Sequence, residues 1–209
     1  MAAPPEVTIL DLSGKYMMNK SFSDDTDEIL RLQGVGWWTR KAIQMSNLYL
    51  SCKHYKDDKD VEHIDIGQTL SGGVSGTTEN RILDWVERPN EDNVFGAVKS
   101  KSKRIRVEDI ENEFLKEGWL DDTKEHGAVL TIATSDTEKS GMSWVAEQSW
   151  GFQDIKGERR YTRHVNFTGS NGENVQARLV YDYRECEIRF SSGMTLKVVV
   201  RGAAMMDED

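Results

Sequence analysis

Between Leu48 and Tyr183 the chain alternates apolar and polar side chains in short runs separated by turn residues. Successive side chains of a strand point to opposite faces, so a period of two marks half-buried strands. A long succession of such runs with short turns marks antiparallel hairpins laid side by side. Leu48, Leu50 and Cys52 alternate with Tyr49, Ser51 and Lys53 up to the turn Asp57-Asp58-Lys59-Asp60. Ile64, Ile66 and Leu70 then alternate with His63, Asp65 and Thr69 up to Gly72-Gly73. Further strands are expected at 74–87, at 93–106 after a turn at Pro89-Asn90, and at 128–134, 143–155, 158–168 and 174–183. Residues 185–201 have room for one or two more, which either close the sheet or hang off it. With a first strand near Gly14-Lys15-Tyr16-Met17-Met18, the pattern predicts a mainly β fold, a ten-stranded up-and-down antiparallel barrel. Closure is the arrangement that removes the unpaired edges of such a sheet.

Two segments break the alternation. Ser23-Asp24-Asp25-Thr26-Asp27-Glu28 concentrates capping side chains and negative charge, with Asp25 and Glu28 at capping-box spacing. Ile29, Leu30 and Leu32 supply an apolar face, and Gly34 stops the helix. Trp38, Ala42 and Met45 then recur at i, i+4 and i+7, which predicts a second helix. Together they form a helix–turn–helix over about 24–46, inserted into the run of strands. Farther on, Ile110 and Phe114 at i, i+4, an acidic opposite face and Gly118 predict one inserted helix over 107–118. It is either a second cap on the barrel mouth or a surface decoration. Residues 1–10 read as a flexible arm, 11–201 as one domain and 202–209 as a disordered tail.

Composition narrows the function classes. The chain has 209 residues and two cysteines, Cys52 and Cys186, in no metal-ligand spacing, so neither a disulfide scaffold nor a zinc site is expected. No apolar stretch is long enough to span a bilayer, and MAAPPEVTIL is not a secretory leader, so the expected compartment is the cytoplasm. A net charge of −9 argues against nucleic acid as a partner. The exception is Lys99-Ser-Lys101-Ser-Lys103-Arg104-Ile105-Arg106, read as a solvated strand or as a docking patch for an anionic partner. No nucleotide-binding loop, metalloprotease motif or nucleophile elbow is present, so no cofactor or metal is expected.

Leu12-Ser13-Gly14-Lys15-Tyr16 resembles the first-strand signature of the intracellular lipid-binding proteins, the fatty-acid-binding branch of the calycins. Leu32-Gln33-Gly34-Val35-Gly36-Trp37-Trp38-Thr39-Arg40-Lys41 is similar to that family's lid motif, and it falls inside the helix–turn–helix. Thr77-Thr78-Glu79-Asn80-Arg81 with Trp85 resembles lipid-binding-like proteins of filamentous fungi. The resemblance implies a calycin or lipocalin-like barrel holding a small hydrophobic ligand. It also implies an arginine pair and a tyrosine that grip the ligand's acidic head. By hairpin position these are Arg163 and Arg178, while Tyr181 lies one residue beyond the family's spacing.

The residues themselves allow the same candidates. Arg163 shares a strand face with Arg159, Tyr161, Val165 and Phe167, and an unpaired arginine is costly inside a dry core. Arg163 and Arg178 therefore either anchor an acidic head in a wet cavity or pair internally with Asp182, Glu147 or Asp65. Tyr161, Tyr181, Trp38 and Met45 complete the expected ligand-binding set, with the lid residues placed to gate access and to touch a membrane at most transiently. The leading expectation is carriage of a fatty-acid-, terpenoid- or polyketide-like ligand. The alternative is a cofactor-independent isomerase or cyclase in the same cavity, with His63, Asp65 and Arg163 as its catalytic residues. A third reading is an interaction module that uses the basic strand or the inserted helix around a filled barrel.

Overall fold

The computed structural model describes residues 1–71, 76–92, 94–184, 186–189 and 195–198. Its main sheet has ten antiparallel strands: β1 (Gly14–Met18), β2 (Leu48–Lys56), β3 (Glu62–Leu70), β4 (Thr78–Ile82), β5 (Arg88–Asp92), β6 (Gly96–Ile105), β7 (Ala128–Ser135), β8 (Val145–Ile155), β9 (Glu158–Thr168) and β10 (Asn174–Arg184). Their order is β4-β3-β2-β1-β10-β9-β8-β7-β6-β5, so every strand except the β4/β5 couple lies beside its chain neighbour, and β1 pairs with β10. This is the ten-stranded meander with a helical lid after the first strand that both the alternation and the resemblance imply.

The sheet curls until its edges approach. β4 leaves β3 at a corner where Trp85 takes φ 63°, and the chain returns as β5 along β6. An Asp84–Lys103 bridge, the Trp85 N–H donated to Ser102 O at 2.9 Å and Arg81 Nη1 donated to Ser100 Oγ at 2.9 Å hold the edges together. Lys101 and Lys103 stand over the Trp85 ring at 4.5 and 4.3 Å, so two lysines of the basic run pack on this corner. Pro89 and Asn90 lie within β5 instead of forming the expected turn. A proline fits there because β5 pairs only with β6, and no ladder bond is missed on its free side.

The lid is made of α1 (Asp27–Leu32) and α2 (Trp37–Met45). The α1 start is capped differently from the expected box: Asp25 Oδ1 accepts from Asp27 N–H, and Glu28 pairs with Arg31. Gly34, at φ 81°, makes the turn, and a β-carbon there would lie 2.5 Å from Met142 Sδ. Arg40 ties the helices together through Asp27 Oδ1 and Val35 O, both at 3.0 Å.

The inserted segment is a 3₁₀ turn (Val107–Asp109) followed by α3 (Glu113–Lys116) and α4 (Asp121–His126), not one helix; Gly118, at φ 76°, breaks the run between α3 and α4. It is a strap on the outer wall and not a second cap. Beyond Trp150, β8 has no β7 partner, and the strap serves that edge: Leu120 N–H donates to Phe152 O and Phe152 N–H to Thr123 Oγ1, both at 2.9 Å. His164, on the outer face of β9, stacks against Phe114 and Trp119 and bonds Phe114 O through Nδ1. β9 is consequently buried on both faces. A further short helix, α5 (Thr137–Ser140), follows β7.

The lower half of the barrel is filled. Tyr16, Leu50, Ile64, Ile66, Trp150, Phe152, Tyr161 and Tyr181 form one packed cluster. Residues 1–12 cross beneath it with Ala3, Val7, Ile9 and Leu12 buried, so the segment expected as a flexible arm is a plug. Its backbone is held by Ala3 N–H on Arg159 O, Ile9 N–H on Asp122 and Leu12 N–H on His54 Nδ1. β11 (Cys186–Arg189) and β12 (Thr195–Val198) make a separate two-stranded sheet, and the tail at 202–209 falls outside the described residues.

Candidate functional site

A cavity of about 250 Å³ occupies the upper half of the barrel, between the lid and the packed aromatic cluster. Small-molecule sites start near this size, at about 300 Å³. Ile29, Leu30 and Ile43 roof it, while Leu48, Val98 and Val165 stand among its walls. The inside face of each strand follows from alternation: Ala146 and Gln148 on β8, Arg163 and Val165 on β9, Leu179 and Tyr181 on β10.

Charge gathers at the floor. The Arg163 guanidinium is 4% exposed and lies over the Trp150 ring at 4.1 Å. Its Nε donates to Tyr161 Oη at 2.9 Å, and its Nη1 stands 3.4 Å from Glu79 Oε2. Arg81 Nη2 is 3.3 Å from the same Glu79 oxygen, and Gln68 Nε2 donates to Glu79 Oε1. Burial pushes the Glu79 carboxyl up, but Arg163 and Arg81 outweigh it and hold it below the ordinary value. Burial pushes the Tyr181 phenol up to about 12, so it stays protonated. Two guanidinium groups around one carboxylate leave the floor with one net positive charge. Arg163 Nη2 and Arg81 Nε have no partner among the described residues.

The expected site residues divide into two groups. Arg163, Tyr161 and Tyr181 come together, with Tyr161 and Tyr181 rings 5.4 Å apart and the guanidinium 5.7 Å from each. Arg178 does not join them. It is in register with His164 on the outer face, and its backbone exchanges hydrogen bonds with Asp24. Tyr181 is three residues on and faces in, as strict alternation requires. Trp38 and Met45 are 81% and 86% exposed. With roughly 200° between residues two apart on a helix, turning Ile43 into the cavity turns Met45 out. His63 and Asp65 lie on the outer face of β3, because Ile64 and Ile66 take the inner one. His63 stacks on Tyr55 at 5.0 Å and bonds Asp57.

Glu79, Arg81 and Gln68 were not among the expected site residues. Alternation carried the signal for Gln68 only. Gln68 shares parity with Ile64 and Ile66, and the β3–β4 register sets Glu79 opposite Ile66 and Arg81 opposite Ile64. That register carries them inward.

No family model matches the chain. It is 30% identical over 185 residues to a protein of Mollisia scopiformis named probable pericyclase scpY, a match spanning 87% of this chain and 94% of that protein. It is 24% identical over 188 residues to pericyclase pydY of an Acremonium species, spanning 88% of this chain and 97% of the other. Among solved structures it is similar to the fatty acid-binding protein in brain tissue of Drosophila melanogaster, with a TM-score of 0.47 and 18% identity, over 80% of this chain and 95% of that one.

Proposed function

The chain belongs to the family of the probable pericyclase scpY of Mollisia scopiformis, and from that premise we propose that its cavity binds a small hydrophobic molecule with an acidic or polar head and folds it for a cofactor-independent pericyclic ring closure. A pericyclic closure exchanges π bonds for σ bonds in one cyclic electron shift. No proton, leaving group or outside electron pair has to move, so the protein need only position and polarise. An apolar wall folds the tail and brings the reacting carbons into contact, a gain that reaches several powers of ten in rate. A buried N–H donor on a carbonyl conjugated to the reacting π system draws electron density from it, and is worth more in a water-poor site than in water.

The observation that carries this reading is Arg163. It is buried at the cavity floor, fixed by Tyr161, Glu79 and the Trp150 ring, with Nη2 left without a partner among the described residues. Such a group serves equally as an anchor for an acidic head and as a polarising donor. α1 and α2 contribute Ile29, Leu30 and Ile43 to the cavity lining.

The test is incubation of the purified protein with a synthetic acyclic acid that carries a diene tethered to an α,β-unsaturated carbonyl. Chiral chromatography then compares products with and without protein. Faster closure to a single stereoisomer supports the reading; an unchanged rate and isomer mixture removes it.

Carriage without turnover is the second reading. It is favoured by Arg163 standing beside Tyr161 and Tyr181, a cation and two phenols that suit an acidic head and call for no turnover. None of the four histidines lines the cavity, so a closure or isomerisation that needs histidine proton transfer has no support here.

A further inference from the structure

Buried polar side-chain atoms without a hydrogen-bond partner are few in folded proteins, and each one asks for an explanation. Among the described residues they include four N–H donors: Arg81 Nε, Arg163 Nη2, Arg178 Nε and Trp144 Nε1. Arg178 lies on the outer face, but the other three belong to side chains that line the same cavity. Their distribution is informative. Arg163 and Arg81 share Glu79 at the floor. Trp144, 4% exposed, stands just before β8 at the opposite end, packed with Ile29 of the lid and with Phe167, whose ring centre is 5.7 Å away. Its backbone is fixed by Ser135, whose Oγ accepts the Trp144 N–H at 2.9 Å. Trp150, the ring under the Arg163 guanidinium, is six steps along the chain from Trp144. At about 3.3 Å per residue that is roughly 20 Å of strand. Side chains that carry an unpartnered donor thus stand at both ends of the cavity, with an apolar wall between them.

We infer that the ligand carries two oxygen acceptors at its opposite ends, an acidic or carbonyl head at Arg163 and Arg81 and an acceptor-only oxygen (ketone, ester or ether) at the indole N–H of Trp144, which makes Trp144 a specificity-determining residue. This rests on the cavity being the ligand site. An indole N–H donates and cannot accept, so a ketone or ester oxygen satisfies it without leaving a proton of its own unpaired, whereas a hydroxyl brings such a proton. A plain fatty acid leaves the Trp144 N–H unmatched.

Calorimetric titration of the full-length protein with two chain-matched probes tests the inference. One is tetradecanoate, acidic at one end only; the other is the monomethyl ester of dodecanedioic acid, acidic at one end and an acceptor at the other. The ester-acid is expected to bind about tenfold tighter, the ordinary effect of satisfying one buried donor. Trp144→Phe deletes the N–H together with part of the indole. Both probes lose the same packing in it, so the ester's advantage should vanish and the two should bind the variant equally. Equal affinity of the two probes for the wild type overturns the inference, as does an advantage that survives Trp144→Phe. The wild-type comparison stands even if the variant does not fold. Tetradecanoate binding without any ester advantage defeats only the second acceptor; failure of both probes to bind defeats the cavity as the ligand site and this inference with it.

Discussion

Glu79 on β4 and Arg163 on β9 meet across the barrel, Oε2 to Nη1 at 3.4 Å, although their strands are half the sheet apart in hydrogen-bonding order. The contact closes the cavity floor with charge. It also means that Arg163, the proposed anchor for a ligand head, is already balanced on one side by a carboxylate.

Glu79→Gln leaves Arg163 and Arg81 facing each other without their counter-ion. Removing one partner of a buried pair costs about 3 kcal/mol, so the unfolding midpoint in urea should fall accordingly. Tetradecanoate should nevertheless bind about tenfold tighter, because the ligand carboxylate then replaces the missing charge. Titration calorimetry checks this, and an unchanged Kd contradicts a head seated at the floor.

Arg163→Met and Arg178→Met should separate cleanly. The first removes one of the two floor guanidinium groups and should weaken tetradecanoate binding about a hundredfold, the scale of a charge-assisted bond. The second changes a side chain on the outer face and should leave the Kd within twofold. Equal losses in both would place the head between the two arginines, which the β10 register forbids.

On the lid, Trp38→Ala and Met45→Ala should each shift stability by no more than about 0.5 kcal/mol, as exposed positions do. Ile43→Ala, at the cavity roof, should lower affinity for an apolar ligand several-fold. Thermal melts and titrations with the same probe measure both.

At the barrel's lower end, Glu62 joins His54 and Arg104, with His54 Nε2 at 2.8 Å. Burial pushes the Glu62 carboxyl up, but bonds from His54 and Arg104 outweigh it and lower it from 4.5 to about 2. A carboxylate depressed in the folded state stabilises the fold above its unfolded value and loses that contribution as pH falls toward the folded one. The window is therefore from about pH 4.5 down to about 2, and the contribution is about 3 kcal/mol. Urea denaturation across that range should show a decline that Glu62→Gln flattens. A decline of the same steepness in both proteins would contradict it.

Much of this was legible because period two is a rigid rule. The limits of β9, and the grouping of Tyr161, Arg163 and Val165 on one face, follow from alternation; that this face points inward does not. What alternation cannot give is register, and Glu79 and Arg81 become cavity residues only once β3 fixes β4 beside it. The lid misled for a different reason. A helix over a barrel mouth buries only a narrow stripe, and the Trp38–Met45 stripe turned out to be the exposed one. The plug at 1–12 was hidden because its prolines signal irregular backbone, while its burial depends on an opening that only the curled sheet creates.

The most direct measurement is the initial rate of ring closure of the tethered diene acid with wild-type protein, with Arg163→Met and with no protein. Polarisation and anchoring by Arg163 predict acceleration to one stereoisomer by the wild type and a loss of about a hundredfold in the variant, as when one preorganised donor is removed. Equal rates in all three vessels would contradict it.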